Sequence, residues 1–192
     1  RASGGRTFTV QIQNPGIDPG KFDLVAVPEH DRLAGDNVIS TAGALHRVTP
    51  ARLTQAADRF RQRLQHLPRP LVAVLIGGTN SNYRMTRAVT ARLADGLVRL
   101  ARDHEAGLAI TTSRRTGAAN QAVLAERLTG AAAEIWDGSG ENPYFAYLGL
   151  ADALVVTCDS VSMVSEACAT GKPVYVFDLA GGSRKFRNFH AR

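Results

Sequence analysis

The run Asp159-Ser160-Val161-Ser162-Met163-Val164-Ser165-Glu166-Ala167 places two carboxylates and several hydroxyls directly after a strand-like stretch, Ala153-Leu154-Val155-Val156-Thr157-Cys158. A helix is predicted from about Ser160. It stops at Gly171-Lys172-Pro173, where Val174-Tyr175-Val176-Phe177 begins another strand. In open α/β sheets the ligand crevice lies outside such strand ends. A helix start there presents unpaired backbone N–H groups and the positive end of the helix dipole to an anion. Asp159 lies at the turn, and Ser160 and Ser162 would face phosphates. Glu166, about one turn beyond Ser162, would accept hydrogen bonds from sugar hydroxyls. With no ligand, the same residues describe a capped helix carrying a solvated glutamate.

Three further strand ends carry residues of similar type. Gly77-Gly78-Thr79-Asn80-Ser81 follows the apolar run Leu71-Val72-Ala73-Val74-Leu75-Ile76. Its glycines would let the backbone approach a ligand closely. Ser113-Arg114-Arg115-Thr116 follows Leu108–Thr112, and two adjacent arginines there suit a diphosphate, with one of them expected to enter the crevice. Asp137-Gly138-Ser139-Gly140-Glu141-Asn142-Pro143-Tyr144 follows Glu134-Ile135-Trp136; it reads as a cradle for a base or sugar, Asn142 and Tyr144 included, or as a helix-starting turn. A third glycine and an acidic ribose ligand are both missing from their places, which argues against a nicotinamide enzyme. His30-Asp31 is the weak candidate for a catalytic base, and an ordinary loop pair is its other reading.

The elements that must position these residues alternate strand and helix from Pro50 onward. Thr49-Pro50 forms a cap and first-turn pair, and Leu53, Ala57, Phe60 and Leu64 mark one helix face. Helices are predicted over 85–103 and roughly 117–128. Strands are predicted over 71–77, 108–113, 134–136, 153–158 and 174–178, in the sheet order 3-2-1-4-5. The fold class expected is α/β, a doubly wound parallel sheet of Rossmann-like type. Residues 1–46 differ. Phe8–Ile12, Phe22–Val27 and Asn37–Thr41 read as strands joined by Asn14-Pro15-Gly16 and Asp18-Pro19-Gly20 turns. Three strands without covering helices do not make a domain. Residues 1–46 are therefore expected to be the tail of a truncated N-terminal α/β domain, packed on a neighbouring copy or loosely against the main domain; the alternative is a genuine small sheet that packs on the main domain. Residues 47–192 are expected to form the ligand-binding domain.

The chain carries 23 Lys and Arg against 17 Asp and Glu, a net charge of +6. Lysine stands only at positions 21, 172 and 185, so the cationic groups are overwhelmingly arginine. They are scattered and not interleaved with aromatics, which does not describe a nucleic-acid surface. Cys158 and Cys168 have neither metal nor redox spacing and read as buried small apolar residues. No stretch has the pattern of a signal peptide or the length of a bilayer-spanning segment. A cytoplasmic protein without metal or cofactor is expected, with a small molecule as partner.

The Asp159–Ala167 segment resembles the nucleotide-sugar site in the C-terminal domain of GT-B glycosyltransferases. The whole chain resembles the Elm-type mitochondrial fission family and its bacterial relatives. The matching elements are Pro28-Glu29-His30-Asp31, Gly77-Gly78, Ser113-Arg114-Arg115-Thr116, Asn142-Pro143-Tyr144, Asp159–Ala167 and Gly171-Lys172-Pro173-Val174. In that family a proline is expected after Ser-Arg-Arg-Thr; this chain has Gly117. The resemblance implies a GT-B-like arrangement of two facing Rossmann-type domains, with the first represented here only by an incomplete set of strands. It implies a nucleoside-diphosphate sugar as ligand and glycosyl transfer as the activity. A non-catalytic scaffold of the fission type that kept the fold is the alternative, and a nucleotide-sugar epimerase a weaker one.

Overall fold

The computed structural model describes residues 4, 5 and 7–190, the side chains of Arg184 and Lys185 excepted. The described chain divides into two units. One runs to His46 and takes in the segment from Arg184; the other is Arg47–Ser183. The expected ligand-binding domain over 47–192 therefore ends at Ser183, because the C-terminal helix packs with the first unit.

In the first unit, β1 (Val10–Ile12), β2 (Leu24–Pro28) and β3 (Val38–Thr41) form a parallel sheet in the order β1-β2-β3. Its connections hold only short 3-10 turns at Pro19–Lys21 and Glu29–Asp31. Asp18 starts the first of these by accepting from Gly20 N. Asn37 ties the loop before β3 to the first turn by donating to Pro19 O and Phe22 O, both at 2.9 Å. Val25 and Val27 are fully buried, whereas Phe8, Val10, Ile12 and Ile39 are exposed.

The second unit holds α1 (Pro50–Leu64), β4 (Leu71–Ile76), β5 (Tyr83–Arg84), α2 (Arg87–Asp103), β6 (Gly107–Thr112), α3 (Ala118–Arg127) and β7 (Ala133–Ile135). It continues through α4 (Tyr144–Leu150), β8 (Ala153–Thr157), α5 (Val161–Cys168), β9 (Val174–Phe177) and β10 (Ala180–Gly181). The helix of the first unit is α6 (Arg184–His190). Five strands pair in parallel in the order β7-β6-β4-β8-β9, the expected doubly wound sheet with the 71–76 strand at its centre. All six residues of β4 are buried, as a strand covered on both faces requires.

The helices form where the sequence caps them. Thr49 Oγ1 accepts from Arg52 N, and Pro50 occupies the first turn of α1. Ala56, Ala57, Phe60 and Leu64 bury one face of α1, which packs on α4, and α2 packs on α3. Gly117 precedes α3 at φ 75°, a conformation closed to proline, whose ring holds φ near −65°. The loop in this chain is thus built for glycine. Cys158 is buried as expected, but Cys168 is exposed, on the outer side of α5. Among the described residues no helix is long and apolar enough to cross a membrane.

Candidate functional site

Thr157 ends β8, and Asp159 follows in the turn beyond it. Both close on the end of β4. Thr157 Oγ1 accepts from Gly77 N at 2.8 Å and donates to Asp159 Oδ1 at 2.6 Å. Asp159 Oδ2 accepts from Gly78 N at 2.9 Å and pairs with Arg115 Nη1 at 2.8 Å. The Asp159 side chain has no solvent exposure, and that of Arg115 keeps 39 %. Ser113 Oγ donates to Gly77 O at 2.9 Å, and Thr116 Oγ1 donates to the same carbonyl.

This knot gives the two glycines a different purpose from the one expected. A Cβ on Gly77 would stand 2.2 Å from Asp159 Oδ2, and one on Gly78 would stand 2.1 Å from Arg115 O. The close approach they permit is that of the protein's own chain. Thr79 and Asn80 are likewise bonded to the protein's own backbone. Thr79 Oγ1 accepts from Met85 N, Asn80 Oδ1 accepts from Asn82 N and Tyr83 N, and Asn80 Nδ2 donates to Asp159 O. Of the two arginines it is Arg115 that turns in, toward a carboxylate; Arg114 is exposed. Ser160 caps α5 by accepting from Met163 N, and Ser162 is exposed on its first turn.

The open space lies beside this knot. A cleft of about 1310 Å³ runs between the first half of α1, the start of α4 and α5. Arg47, Thr49, Arg52, Gln55 and Arg59 line one wall; Glu141, Asn142, Tyr144, Phe145, Met163 and Glu166 line the other. Asn142 Oδ1 accepts from Tyr144 N at 2.9 Å and so shapes the turn into α4. Tyr144 then donates its hydroxyl to Glu166 Oε2 at 2.6 Å. Burial, and then the Glu166 carboxylate, raise the Tyr144 phenol well above its ordinary range, so it stays protonated and keeps donating. Arg59 pairs with Glu141 at 2.9 Å, and the Arg52 guanidinium lies 4.0 Å from the centroid of the Phe145 ring.

Asn142, Tyr144 and Glu166 thus share one cleft. Gly77, Gly78, Thr79, Asn80, Ser113, Arg115 and Asp159 share the neighbouring knot. His30 and Asp31 belong to the other unit. There the His30 ring lies 5.1 Å from Phe189 and 6.3 Å from Phe186, and its Nε2 stands 3.9 Å from Asp31 Oδ1. Sequence reasoning missed the α1 wall. Its signal was the polar face at i, i+3 and i+7, Arg52, Gln55 and Arg59, opposite the buried one.

A model of the family described as mitochondrial fission ELM1 matches residues 1–192. The chain is 36 % identical over 200 residues to "Mitochondrial fission protein ELM1" of Arabidopsis thaliana, covering 92 % of this chain and 47 % of that protein. It is 30 % identical over 204 residues to "Uncharacterized protein RP120" of Rickettsia prowazekii, covering 88 % and 57 %. The chain spans about half the length of these curated relatives. Two solved structures resemble it at 13 % identity. The UDP-GlcNAc 2-epimerase of Neisseria meningitidis bound to UDP-GlcNAc has a TM-score of 0.57, over 88 % of this chain and 47 % of that one. The glycosyl transferase family 9 protein of Veillonella parvula has a TM-score of 0.51, over 94 % and 60 %. The likeness is one of fold: the chain has the α/β architecture of GT-B glycosyltransferases and related epimerases.

Proposed function

The chain belongs to the mitochondrial fission ELM1 family, and from that premise we propose that the cleft between α1, α4 and α5 binds a nucleotide-activated sugar, as the donor for glycosyl transfer. The observation that carries this reading is the Tyr144–Glu166 hydrogen bond. It fixes the carboxylate through Oε2, and Oε1 makes no hydrogen bond to another described residue. A carboxylate held by one oxygen at the edge of an open cleft addresses hydroxyls with the other. Arginines on the facing wall supply the positive charge that a diphosphate leaving group needs. The GT-B-like fold supports the same ligand class, and the resemblance of Asp159–Ala167 to the nucleotide-sugar segment of such enzymes adds to it.

The second reading, a scaffold that kept the fold, is favoured by one observation. The strand-end groups that would cradle phosphates are bonded to each other, Asp159 to Gly78, Thr157 and Arg115. The test is thermal denaturation and calorimetry with UDP, GDP, ADP and their sugar conjugates. A ligand at about a hundred times its Kd adds roughly 2.7 kcal/mol, or about 5–10 °C for a chain of this size. NAD should give no shift. Glu166→Ala should weaken nucleoside diphosphates and spare inorganic pyrophosphate. If millimolar nucleotides and their conjugates all leave Tm unchanged, the scaffold reading replaces this one.

A further inference from the structure

Four arginines stand near this site, and their partners separate them. Arg115 is held by Asp159, and Arg59 by Glu141. Arg47 and Arg52 line the cleft, and neither guanidinium makes an ion pair or hydrogen bond with another described residue. Arg52 is nonetheless held in place, with its carbon 4.0 Å from the Phe145 ring centroid. A guanidinium seated on a ring gives up its face and keeps its N–H donors, which lie in its plane. Those in-plane donors are the ones that match a phosphate in a two-pronged hydrogen bond. The backbone supports the placement: α1 starts beside the start of α4, because Thr49 and Tyr144 both line the same cleft.

We infer that Arg52, seated on Phe145, is the principal phosphate anchor of this cleft, with Arg47 beside it, and that the diphosphate lies along α1 and not on the Gly77–Asn80 and Ser113–Arg115 strand ends. The inference rests on the nucleotide-sugar reading and adds to it the direction in which the ligand lies. Hydroxyls sit at Glu166 and phosphates at the start of α1, where Arg52 meets Phe145. Phe145 is a positioning residue: it holds the cation in one orientation, which lowers the ordering cost of binding.

The test is calorimetric titration of the chain with inorganic pyrophosphate and with UDP and GDP, at several salt concentrations. Arg52→Ala should raise the Kd for pyrophosphate by about tenfold or more, the range for losing a charge-assisted hydrogen bond. Arg52→Lys keeps the charge without the planar fork and should recover only part of that affinity. Phe145→Leu leaves Arg52 in place but removes its seat, and should weaken pyrophosphate by roughly threefold with little change in the salt dependence. Arg114→Ala should change none of these. If Arg52→Lys and Phe145→Leu both bind pyrophosphate like the wild type while nucleotides still bind, the anchor is elsewhere and only the nucleotide reading survives. Loss of affinity in Arg114→Ala would return the phosphates to the strand ends. Wild-type protein that binds neither pyrophosphate nor nucleotide would overturn both.

Discussion

Arg115 and Asp159 meet at 2.8 Å, with the carboxylate sealed from solvent and the guanidinium still partly in it. That asymmetry decides which partner matters more. Asp159→Ala strips Gly78 N, Thr157 Oγ1 and Arg115 of a shared acceptor at once. It should cost about 3 kcal/mol. Arg115→Ala leaves the carboxylate with its two remaining donors, and solvent can replace part of the cation. It should cost only about 1–2 kcal/mol. Urea denaturation of the two variants checks the order; an equal or reversed ranking would contradict the burial argument.

Two glycines give opposite expectations. Gly78→Ala drives a Cβ into the Arg115 carbonyl, a backbone atom that cannot move aside, and should destabilise by about 3 kcal/mol or more. Gly96 lies inside α2, where a Cβ would have its nearest neighbour, Arg99 Nη2, at 3.9 Å. Gly96→Ala should stabilise by about 0.5–1 kcal/mol through helix propensity. Melting temperatures should therefore move in opposite directions.

High pH should weaken the fold through its tyrosines. Burial first, and then Cys158, push the Tyr83 phenol from 10.0 to about 12. Burial and Glu166 move Tyr144 in the same direction. Below pH 10 the phenols are neutral in both folded and unfolded chains, and their contribution is fully present. Above it the unfolded chain loses protons that the native state keeps, so stability falls as pH rises from about 10 to about 12. The urea midpoint followed across that range should drop, and Tyr83→Phe should flatten part of the slope.

Tyr144→Phe separates orientation from charge at Glu166. The carboxylate stays but loses the hydroxyl that holds Oε2. Nucleoside diphosphates should bind roughly threefold to tenfold more weakly, and inorganic pyrophosphate should bind as before. A parallel loss for both ligands would mean that Tyr144 serves only the packing of α4.

The central sheet was legible because its strands carry their own signature. Leu71–Ile76 is apolar throughout, and only burial on both faces accounts for that. The small antiparallel pairing of β5 with β10, Arg84 opposite Ala180 and Tyr83 opposite Gly181, escaped notice. Two-residue strands have no period, and their partners lie far apart in sequence. Helix α6 escaped for a related reason: Arg184–His190 is short and mostly polar. At the strand ends, residue types were readable but their partners were not. Gly77, Gly78 and Asp159 look the same in sequence whether they close on a phosphate or on one another. Only the placement of α1 and α4 showed where the open space lies, and Arg47 and Arg52 came into view with it.

The order β7-β6-β4-β8-β9 also dictates a history for the nascent chain. Strands β4, β6 and β7 emerge in sequence and pair in sequence, so half of the sheet can zip up as it leaves the ribosome. The other rim of β4 must wait: Val72 pairs with Ala153 and Leu75 with Val156, some eighty positions downstream. Until β8 arrives, a wholly apolar strand stands as an unpaired sheet edge, the template on which cross-chain aggregation starts. The time between the emergence of β4 and that of β8 is then the aggregation-exposed interval of synthesis. Chaperone demand should concentrate in that interval.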